Sequence, residues 1–161
     1  MFLTINSRKR RSLGQSMIEL TAGLFLVVPI VLVLFDLAVI VMAVQINDST
    51  CREAARMASK GDPLTASQRA NAVVGRANKQ GSSMLSKFAV VSCNSTVTAA
   101  DINALQPFGG PVSGNVTVVT EVEVRQFVVA IVYQGGGPMK FRSSHTYPIT
   151  YVVPNTAGTT P

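Results

Sequence analysis

The distribution of apolar positions divides the chain into two parts. Residues 20–44 form an almost unbroken apolar run, whereas after residue 60 apolar residues are interspersed with polar ones. At about 1.5 Å per residue, a helix over this run is long enough to cross the ~30 Å core of a bilayer. The apolar stretch of a cleaved secretory signal has only about 7–15 residues. We therefore predict a membrane-spanning helix followed by a separate folded part.

The helix is predicted to continue beyond the membrane as a stalk. Residues 45–59 contain few helix breakers, and Gly61-Asp62-Pro63 then supplies a stop signal. A helix over residues 15–59 is roughly 65–70 Å long at ~1.5 Å per residue. We expect about half of this length to lie in the membrane and half to pack against the folded part.

One helix and three strands are predicted in the folded part. Thr65-Ala66-Ser67-Gln68 fits a capping box, and small apolar residues follow at helical spacing until Gly81. Strand signals follow over residues 88–93, 115–125 and 139–147. Within 115–125 the even positions are valine or threonine and most odd positions are polar, which is typical of a strand with one buried face.

Turn signals and one apolar segment complete the pattern. Residues 106–111 and 134–138 are rich in glycine and proline and read as turns, and a flexible tail is predicted over 154–161. Residues 127–133 are apolar throughout but too short to span a membrane as a helix. Extension of the preceding strand, burial on both faces and a position at an interface remain open for them. The predicted fold class is α+β: a long N-terminal transmembrane and stalk helix, a second helix and a small antiparallel sheet.

The charges favour a membrane topology over nucleic-acid binding. Hydrophobic residues make up 47% of the chain and charged residues only 14%, and the apolar excess lies in residues 20–46. Arg8-Lys9-Arg10-Arg11 precedes that run. From Gln15 onward the chain has ten Lys/Arg and eight Asp/Glu, so its charges nearly balance. There is no basic surface with interleaved aromatic residues, as nucleic-acid binding requires. By the positive-inside rule, the N-terminus is predicted to be cytoplasmic and the C-terminal part to lie outside.

Three residues interrupt the apolar character of this region. Pro29 is tolerated in a membrane helix, although it kinks the helix. Glu19 lies at the cytoplasmic edge of the run, where a solvated carboxylate is the simplest interpretation. Asp36 lies deep in the run, where a charge costs about 2.5–3.5 kcal/mol on the lenient insertion scale. Functional pairing of Asp36 and a tolerated neutral aspartic acid both remain open.

The order of these features resembles the TadE-like family, the pseudopilins of tight-adherence (Flp-type IV) pili. In that family a short basic leader ends in glycine and is removed by a prepilin peptidase, which here implies cleavage between Gly14 and Gln15. The fifth mature residue of the family is glutamate, which falls on Glu19. A proline, a later acidic residue and an alanine- and arginine-rich stretch also match, the last over residues 51–59. The resemblance covers residues 8–60.

Leu20 departs from the major Flp pilins, which have tyrosine after the glutamate; this favours a minor pseudopilin. The resemblance implies a non-enzymatic component of pilus assembly, secretion and cell adhesion in the bacterial inner membrane, with a cytoplasmic N-terminus and a periplasmic C-terminus. Whether it enters the filament or primes it remains open. The expected partners are the inner membrane, the prepilin peptidase, other pilins or pseudopilins and the assembly machinery. The implied organisation is a leader (1–14), a transmembrane and stalk helix (15–60), a periplasmic head (61–153) and a flexible tail (154–161).

Glu19 has a physical reason within this interpretation. Cleavage leaves a free amine on Gln15, and a bare amine and a bare carboxylate are each costly among packed apolar helices. Pairing of the two groups between neighbouring subunits removes that cost. The predicted role of Glu19, and by analogy of Asp36, is therefore assembly. The alternative is an uncleaved, signal-anchored periplasmic protein-binding module, which leaves Gly14 and Glu19 without a role.

The two cysteines allow two interpretations. Cys51 on the stalk and Cys93 on a strand both lie outside the membrane in this topology. In an oxidising compartment a disulfide between them would stabilise the fold by about 4 kcal/mol. Two buried free thiols are the alternative. Their spacing is not that of a metal site.

No catalytic chemistry is predicted. The chain lacks nucleotide-binding, zinc-protease and serine-hydrolase motifs. His145 has no recognisable partner in the sequence, and one histidine cannot build a metal site alone. Glu121 and Glu123 share one strand face, where solvated carboxylates beside Arg125 are a simpler interpretation than an acid–base pair. No metal, cofactor, nucleic acid or small-molecule substrate is therefore expected.

Overall fold

The computed structural model describes residues 9–80, 85–125 and 137–155, with side chains described from residue 15 onward except at residues 80, 85 and 86. It confirms the α+β class, because a long N-terminal apolar helix, two further helices and a three-stranded antiparallel sheet are arranged in a pilin-like layout. The helices are α1 (Lys9–Ala58), α2 (Ala66–Gln80), which follows a 3-10 turn (Pro63–Thr65), and α3 (Ala99–Leu105). The strands are β1 (Leu85–Ser95), β2 (Gly110–Val124) and β3 (Met139–Val153).

Helix α1 consists of two different halves. Residues 15–35 are exposed on every side of the helix, over a length of about 31 Å. From residue 36 onward one face is buried by the rest of the chain. Its buried positions are Asp36 and, at helical spacing from Ala43 onward, Ala43, Asn47, Thr50, Cys51, Ala54, Ala55 and Ala58. This helix is long and apolar enough to cross a membrane.

The sheet has the order β1-β2-β3, and both neighbouring pairs are antiparallel. The predicted alternation is confirmed in β2, where Val116, Val118, Thr120, Val122 and Val124 are fully buried. Their side chains face α1 and α2, and the odd positions face away. In β3 the odd positions share the inner face, as predicted from the alternation over 139–147. The core is therefore a single layer between the sheet and two helices.

The C-terminus of α1 is closed by the side chain of Arg69. Its guanidinium donates hydrogen bonds to the carbonyl oxygens of Met57 (3.1 Å), Ala58 (2.9 Å) and Asp62 (2.7 Å). A cation at this end also complements the helix dipole. The predicted stop is confirmed, because Gly61 adopts a φ of 89° just after the helix.

The predicted capping box at Thr65 is not formed. The Thr65 hydroxyl accepts a hydrogen bond from Arg69 and donates one to the carbonyl oxygen of Asp62. It is Asp62 that caps the 3-10 turn, by accepting a hydrogen bond from the backbone N–H of Leu64. The helix nevertheless begins at Ala66, as the pattern predicted.

Helix α3 and the early start of β2 were not predicted. A capping box between Thr98 and Asp101 opens α3, and Ile102 is its buried residue. One buried side chain in a helix of seven residues gives too little periodicity to identify it. β2 begins at Gly110, within the turn predicted over 106–111, and not at residue 115, where the strand was predicted to begin. The structure also extends the first predicted strand, 88–93, to Leu85–Ser95.

Several predicted features lie wholly or partly outside the described residues. These are the first part of the leader (1–8), the helix end at Gly81, the apolar segment 127–133, most of the turn over 134–138 and most of the tail (154–161).

Gly114 and Gly75 form a matched pair for a test of the packing. A Cβ on Gly114 would clash with Oγ1 of Thr96 and lie 2.7 Å from Cγ2 of Val97, whereas a Cβ on Gly75 in α2 meets nothing within 4 Å. We expect Gly114→Ala to lower the free energy of unfolding by about 1–3 kcal/mol. We expect Gly75→Ala to raise it by about 0.5–1 kcal/mol, because alanine favours a helix interior. Denaturation of both variants in the same detergent measures the difference, and equal effects would contradict it.

Candidate functional site

The predicted processing and assembly residues lie along α1. Gly14 and Gln15 are both within the helix, and Glu19 lies one turn after Gln15 on the same face. Gln15 and Glu19 are exposed. The structure does not bring Glu19 close to Asp36, because the two residues are about 25 Å apart along the helix axis at ~1.5 Å per residue. Any direct role that they share requires different partners.

Asp36 marks the boundary between the two halves of α1. Its side chain is only 5% exposed, although Phe35 and Leu37 are exposed on either side. In the sequence Asp36 lies deep within the apolar run, but in the structure it is the first residue of the face that packs against the folded part. Its burial is therefore a property of the tertiary structure.

Polar residues join α1 to the two strands beneath it. Oδ1 of Asn47 accepts a hydrogen bond from Oγ1 of Thr120 on β2 (2.9 Å), and Nδ2 of Asn47 donates to the carbonyl oxygen of Phe141 on β3 (3.2 Å). One turn further along α1, the Cys51 thiol faces the carbonyl oxygens of Val118 and Ser143, each at 3.3 Å. We call the following six residues the polar seam: Asn47, Asp48, Cys51, Thr120, Ser143 and His145.

The polar seam fixes the position of α1 along the sheet. Asn47 and Thr120 are both almost fully buried, so each depends on the other for a hydrogen bond. Most other buried positions in this half of α1 are alanine, which packs equally well after a shift of one turn. Such a shift would place Ala43 or Cys51 opposite Thr120 and leave its buried hydroxyl without the amide. A buried polar group of this kind specifies register.

Asp48 extends the seam at its exposed edge. Its Oδ1 lies 2.9 Å from Oγ of Ser143 and 2.8 Å from Nε2 of His145, and its Oδ2 lies 3.0 Å from Nη2 of Arg52. The hydrogen bond from His145, followed by that from Ser143, lowers the pKa of the Asp48 carboxyl below its ordinary value. His145 is half-buried, and its partner could not be recognised in the sequence because Asp48 lies on a distant helix.

The seam contains serine, histidine and aspartate but not the geometry of a catalytic triad. Both Ser143 and His145 contact the same carboxylate oxygen of Asp48. In a triad the serine hydroxyl bonds to histidine, and the carboxylate bonds to the other ring nitrogen. Here the serine hydroxyl is directed at the carboxylate and no base receives its proton. The arrangement therefore holds β3 against α1.

The expected disulfide between Cys51 and Cys93 is not formed, and both residues are free thiols. Cys51 lies over the pair formed by β2 and β3, where its thiol contacts backbone carbonyls. Cys93 lies on β1, on the other side of β2, and its Cα pairs with that of Val118. Burial raises the pKa of the Cys93 thiol. The alternative interpretation of two packed thiols fits this arrangement.

Charged side chains cover the outer face of the sheet. Glu121 contacts Arg142 (2.7 Å) and Lys140 (3.2 Å), and Lys140 also contacts Glu123 (2.9 Å). The predicted neighbour of the two glutamates was Arg125, but the cross-strand register supplies the two residues of β3 instead. The hydrogen bond from Arg142, followed by that from Lys140, lowers the pKa of Glu121. A lowered pKa suits a permanent ion pair and not a general acid.

Metal coordination finds no support in the part of the chain that the structure describes. There, no group of three or more histidine, cysteine, aspartate or glutamate residues could hold a metal ion. The residues that sequence reasoning missed are Asn47, Asp48, Thr120 and Ser143. A signal was present, because Asn47 continues the helical spacing from Ala43 to Cys51, and Thr120 interrupts a row of valines.

No protein-family model matches the chain, and neither a curated protein nor a solved structure is found to be similar to it.

Replacement of Asn47 tests the polar seam. Asn47→Ala leaves the buried Thr120 hydroxyl without its acceptor, so we expect the free energy of unfolding to fall by about 1–3 kcal/mol. Ser49→Ala is the control, because it removes an exposed hydroxyl that only bonds to its own helix at the carbonyl oxygen of Ile46. We expect it to change the free energy by less than about 0.5 kcal/mol. Equal effects in denaturant titrations would contradict a role for the seam.

The lowered pKa of Asp48 predicts how the stability of the fold depends on pH. Because the folded protein lowers its pKa, Asp48 contributes stability above the ordinary aspartate pKa of about 3.9, and this contribution is lost as the pH falls through the folded value. We expect the thermal midpoint of the unmodified protein to fall more steeply below about pH 4 than that of Asp48→Asn. His145→Gln should remove much of the same slope, since His145 is the largest cause. Identical slopes in all three proteins would exclude the contact as a contributor.

Proposed function

We propose that the protein is a minor pseudopilin of a tight-adherence, Flp-type IV pilus assembly system. A prepilin peptidase removes the basic leader between Gly14 and Gln15, and the mature helix then joins other pilins or pseudopilins through the assembly machinery. The observation that carries this proposal is the order of features along α1. A basic leader, a glycine and Glu19 come first, the exposed apolar half follows, and the half that packs against the sheet comes last.

The exposed half of α1 needs an apolar environment on every side. Residues 15–35 are exposed and predominantly apolar all round, and their length of about 31 Å matches one bilayer core. A helix of this kind is stable in lipid or among other apolar helices. Both environments occur in the proposed function, first in the inner membrane and then in the filament or its primer.

Glu19 has a defined position for recruitment. It is exposed near the start of the apolar half, one turn from Gln15. After processing, the Gln15 amine of one subunit pairs with the Glu19 carboxylate of its neighbour, and this pairing sets their register. Asp36, at the other end of the exposed half, limits how deeply the helix enters the apolar environment.

The proposed topology has a cytoplasmic N-terminus and a periplasmic head in the bacterial inner membrane. The head, over residues 61–153, contributes contacts and no reaction. The geometry of the Ser143, His145 and Asp48 cluster supports a non-enzymatic role, because it provides no activated nucleophile.

One observation favours a second candidate, a signal-anchored protein-binding module without processing. A polar groove lies between α1 and β3, lined by Asp48, Ser49, Arg52, Glu53, Arg56 and Tyr147. Both signs of charge line it, as in a surface that binds a polar segment of another protein. This candidate assigns no role to Gly14 or Glu19.

The decisive test of the proposal is the N-terminus of the mature protein. We expect the intact mass and N-terminal sequence of protein from host membranes to show a chain beginning at Gln15. Gly14→Val should retain the leader, since a bulky residue replaces the glycine at the cleaved bond. A wild-type chain that retains Arg8 to Arg11 would overturn the proposal and favour the binding module.

A second arm of the same experiment separates processing from assembly. Glu19→Ala should still be cleaved but should be missing from the sheared pilus fraction or fail to prime it. Glu53→Ala is the matched control, because it removes an exposed carboxylate from the distal part of the same helix. Normal assembly by the Glu19 variant would exclude the role given to that residue.

A further inference from the structure

The described part of the sheet reaches the level of the boundary in α1. Thr120 lies opposite Asn47, and β2 runs antiparallel to α1, since Val118 lies opposite the later residue Cys51. At ~3.4 Å per residue, Arg125 lies about 17 Å beyond Thr120. At ~1.5 Å per residue, Asp36 lies about 17 Å before Asn47. Arg125 is therefore level with Asp36, where the exposed half of α1 ends.

Two lysines lie close to the same level on neighbouring strands. Lys140 on β3 pairs directly with Glu123 on β2. Lys87 on β1 lies between Ser86, which pairs with Glu123, and Phe88, which pairs with Val122. Both lysines are thus about 7–10 Å from the level of Arg125, at ~3.4 Å per residue. A lysine side chain covers most of that distance.

Helix α2 adds a fourth basic residue at this end. The side chain of Asn78 forms hydrogen bonds with the backbone N–H and the carbonyl oxygen of Phe88, each at 2.7 Å. These bonds hold the C-terminal end of α2 beside the first half of β1. Lys79 follows Asn78 and is exposed. We call the following four exposed residues the basic rim: Lys79 on α2, Lys87 on β1, Arg125 directly after β2 and Lys140 on β3.

The basic rim carries more positive charge than the carboxylates at the same level offset. Glu121 and Glu123 engage Lys140 and Arg142. Within the described part of the chain Lys79, Lys87 and Arg125 form no ion pair, and they outnumber the one further carboxylate at this level, that of Asp36. The distal end of the folded part differs, because its four basic residues are matched by four acidic ones: Arg52, Arg56, Lys60 and Arg69 against Asp48, Glu53, Asp62 and Asp101. The excess positive charge therefore lies at one end.

We propose that the basic rim binds anionic phospholipid headgroups of the leaflet from which α1 emerges. This inference rests on the membrane-spanning state in the proposed function. With residues 15–35 across the ~30 Å core, the headgroup zone extends about 5–7 Å beyond Asp36. Arg125 lies in this zone, and the long side chains of Lys87 and Lys140 reach it from about 7–10 Å. Each basic residue near an anionic surface strengthens attraction by about fivefold at physiological ionic strength. The bound headgroups hold the folded part against the membrane in one orientation.

Lipid selectivity of the full chain tests this proposal. The protein is reconstituted in phosphatidylcholine bilayers with traces of spin-labelled phosphatidylglycerol or spin-labelled phosphatidylcholine. Electron paramagnetic resonance then gives the fraction of each labelled lipid that the protein restricts. We expect a preference for phosphatidylglycerol that falls in K87Q/R125Q by up to about fivefold for each charge removed, and that weakens in 0.5 M salt. Both substitutions leave the Glu121 ion pairs intact.

The control variant is R56Q/K60Q, which removes two exposed charges about 30 Å further along α1, at ~1.5 Å per residue. It should keep the wild-type preference. The leader residues contribute equally in every variant, so differences arise from the folded part. Unchanged selectivity in K87Q/R125Q, or an equal loss in the control, would overturn the proposal. Absence of any restricted lipid would overturn both this inference and the membrane span. If K87Q/R125Q loses selectivity but the wild-type protein from host membranes keeps its leader, only the pseudopilin function is overturned.

Discussion

The packing of the second half of α1 on the sheet is the contact on which the rest of the structure depends. Alanines at positions 43, 54, 55 and 58 allow the helix backbone to approach the valines of β2 closely. Such a surface is smooth and does not select one axial position. The hydrogen bonds of Asn47 to Thr120 and to the backbone of β3 supply that selection, because a buried polar group stabilises only the register in which it is paired.

Register has a functional consequence because it sets how far α1 projects. With Asn47 opposite Thr120, the packed face begins at Asp36, and the preceding 31 Å of helix is left to an apolar environment. Asp36 thereby acquires a role different from the one that its place in the sequence suggests. It terminates the exposed half, and in the proposed membrane-anchored state it would lie at the surface of the bilayer core and not within it.

The charges of the folded part follow from the same register. Cross-strand pairing brings Lys140 and Arg142 to the glutamates of β2 and neutralises them. Other basic residues lie at the end that is level with Asp36, while charges at the distal end balance. A polarised head of this kind suits a protein that works beside an anionic surface and presents a neutral surface to partners beyond it.

The sequence by itself determined the long helix, its stop at Gly61, the second helix and the alternation in the strands, because these depend on local periodicity and breakers. It also supplied the resemblance that names Gly14, Gln15 and Glu19, which all lie on one helix. The tertiary structure alone decided that Asp36 is buried, that Cys51 and Cys93 remain apart, and that His145 contacts Asp48. Each of these depends on how α1 packs along strands that lie more than 40 residues away in the sequence, and no local pattern encodes that packing.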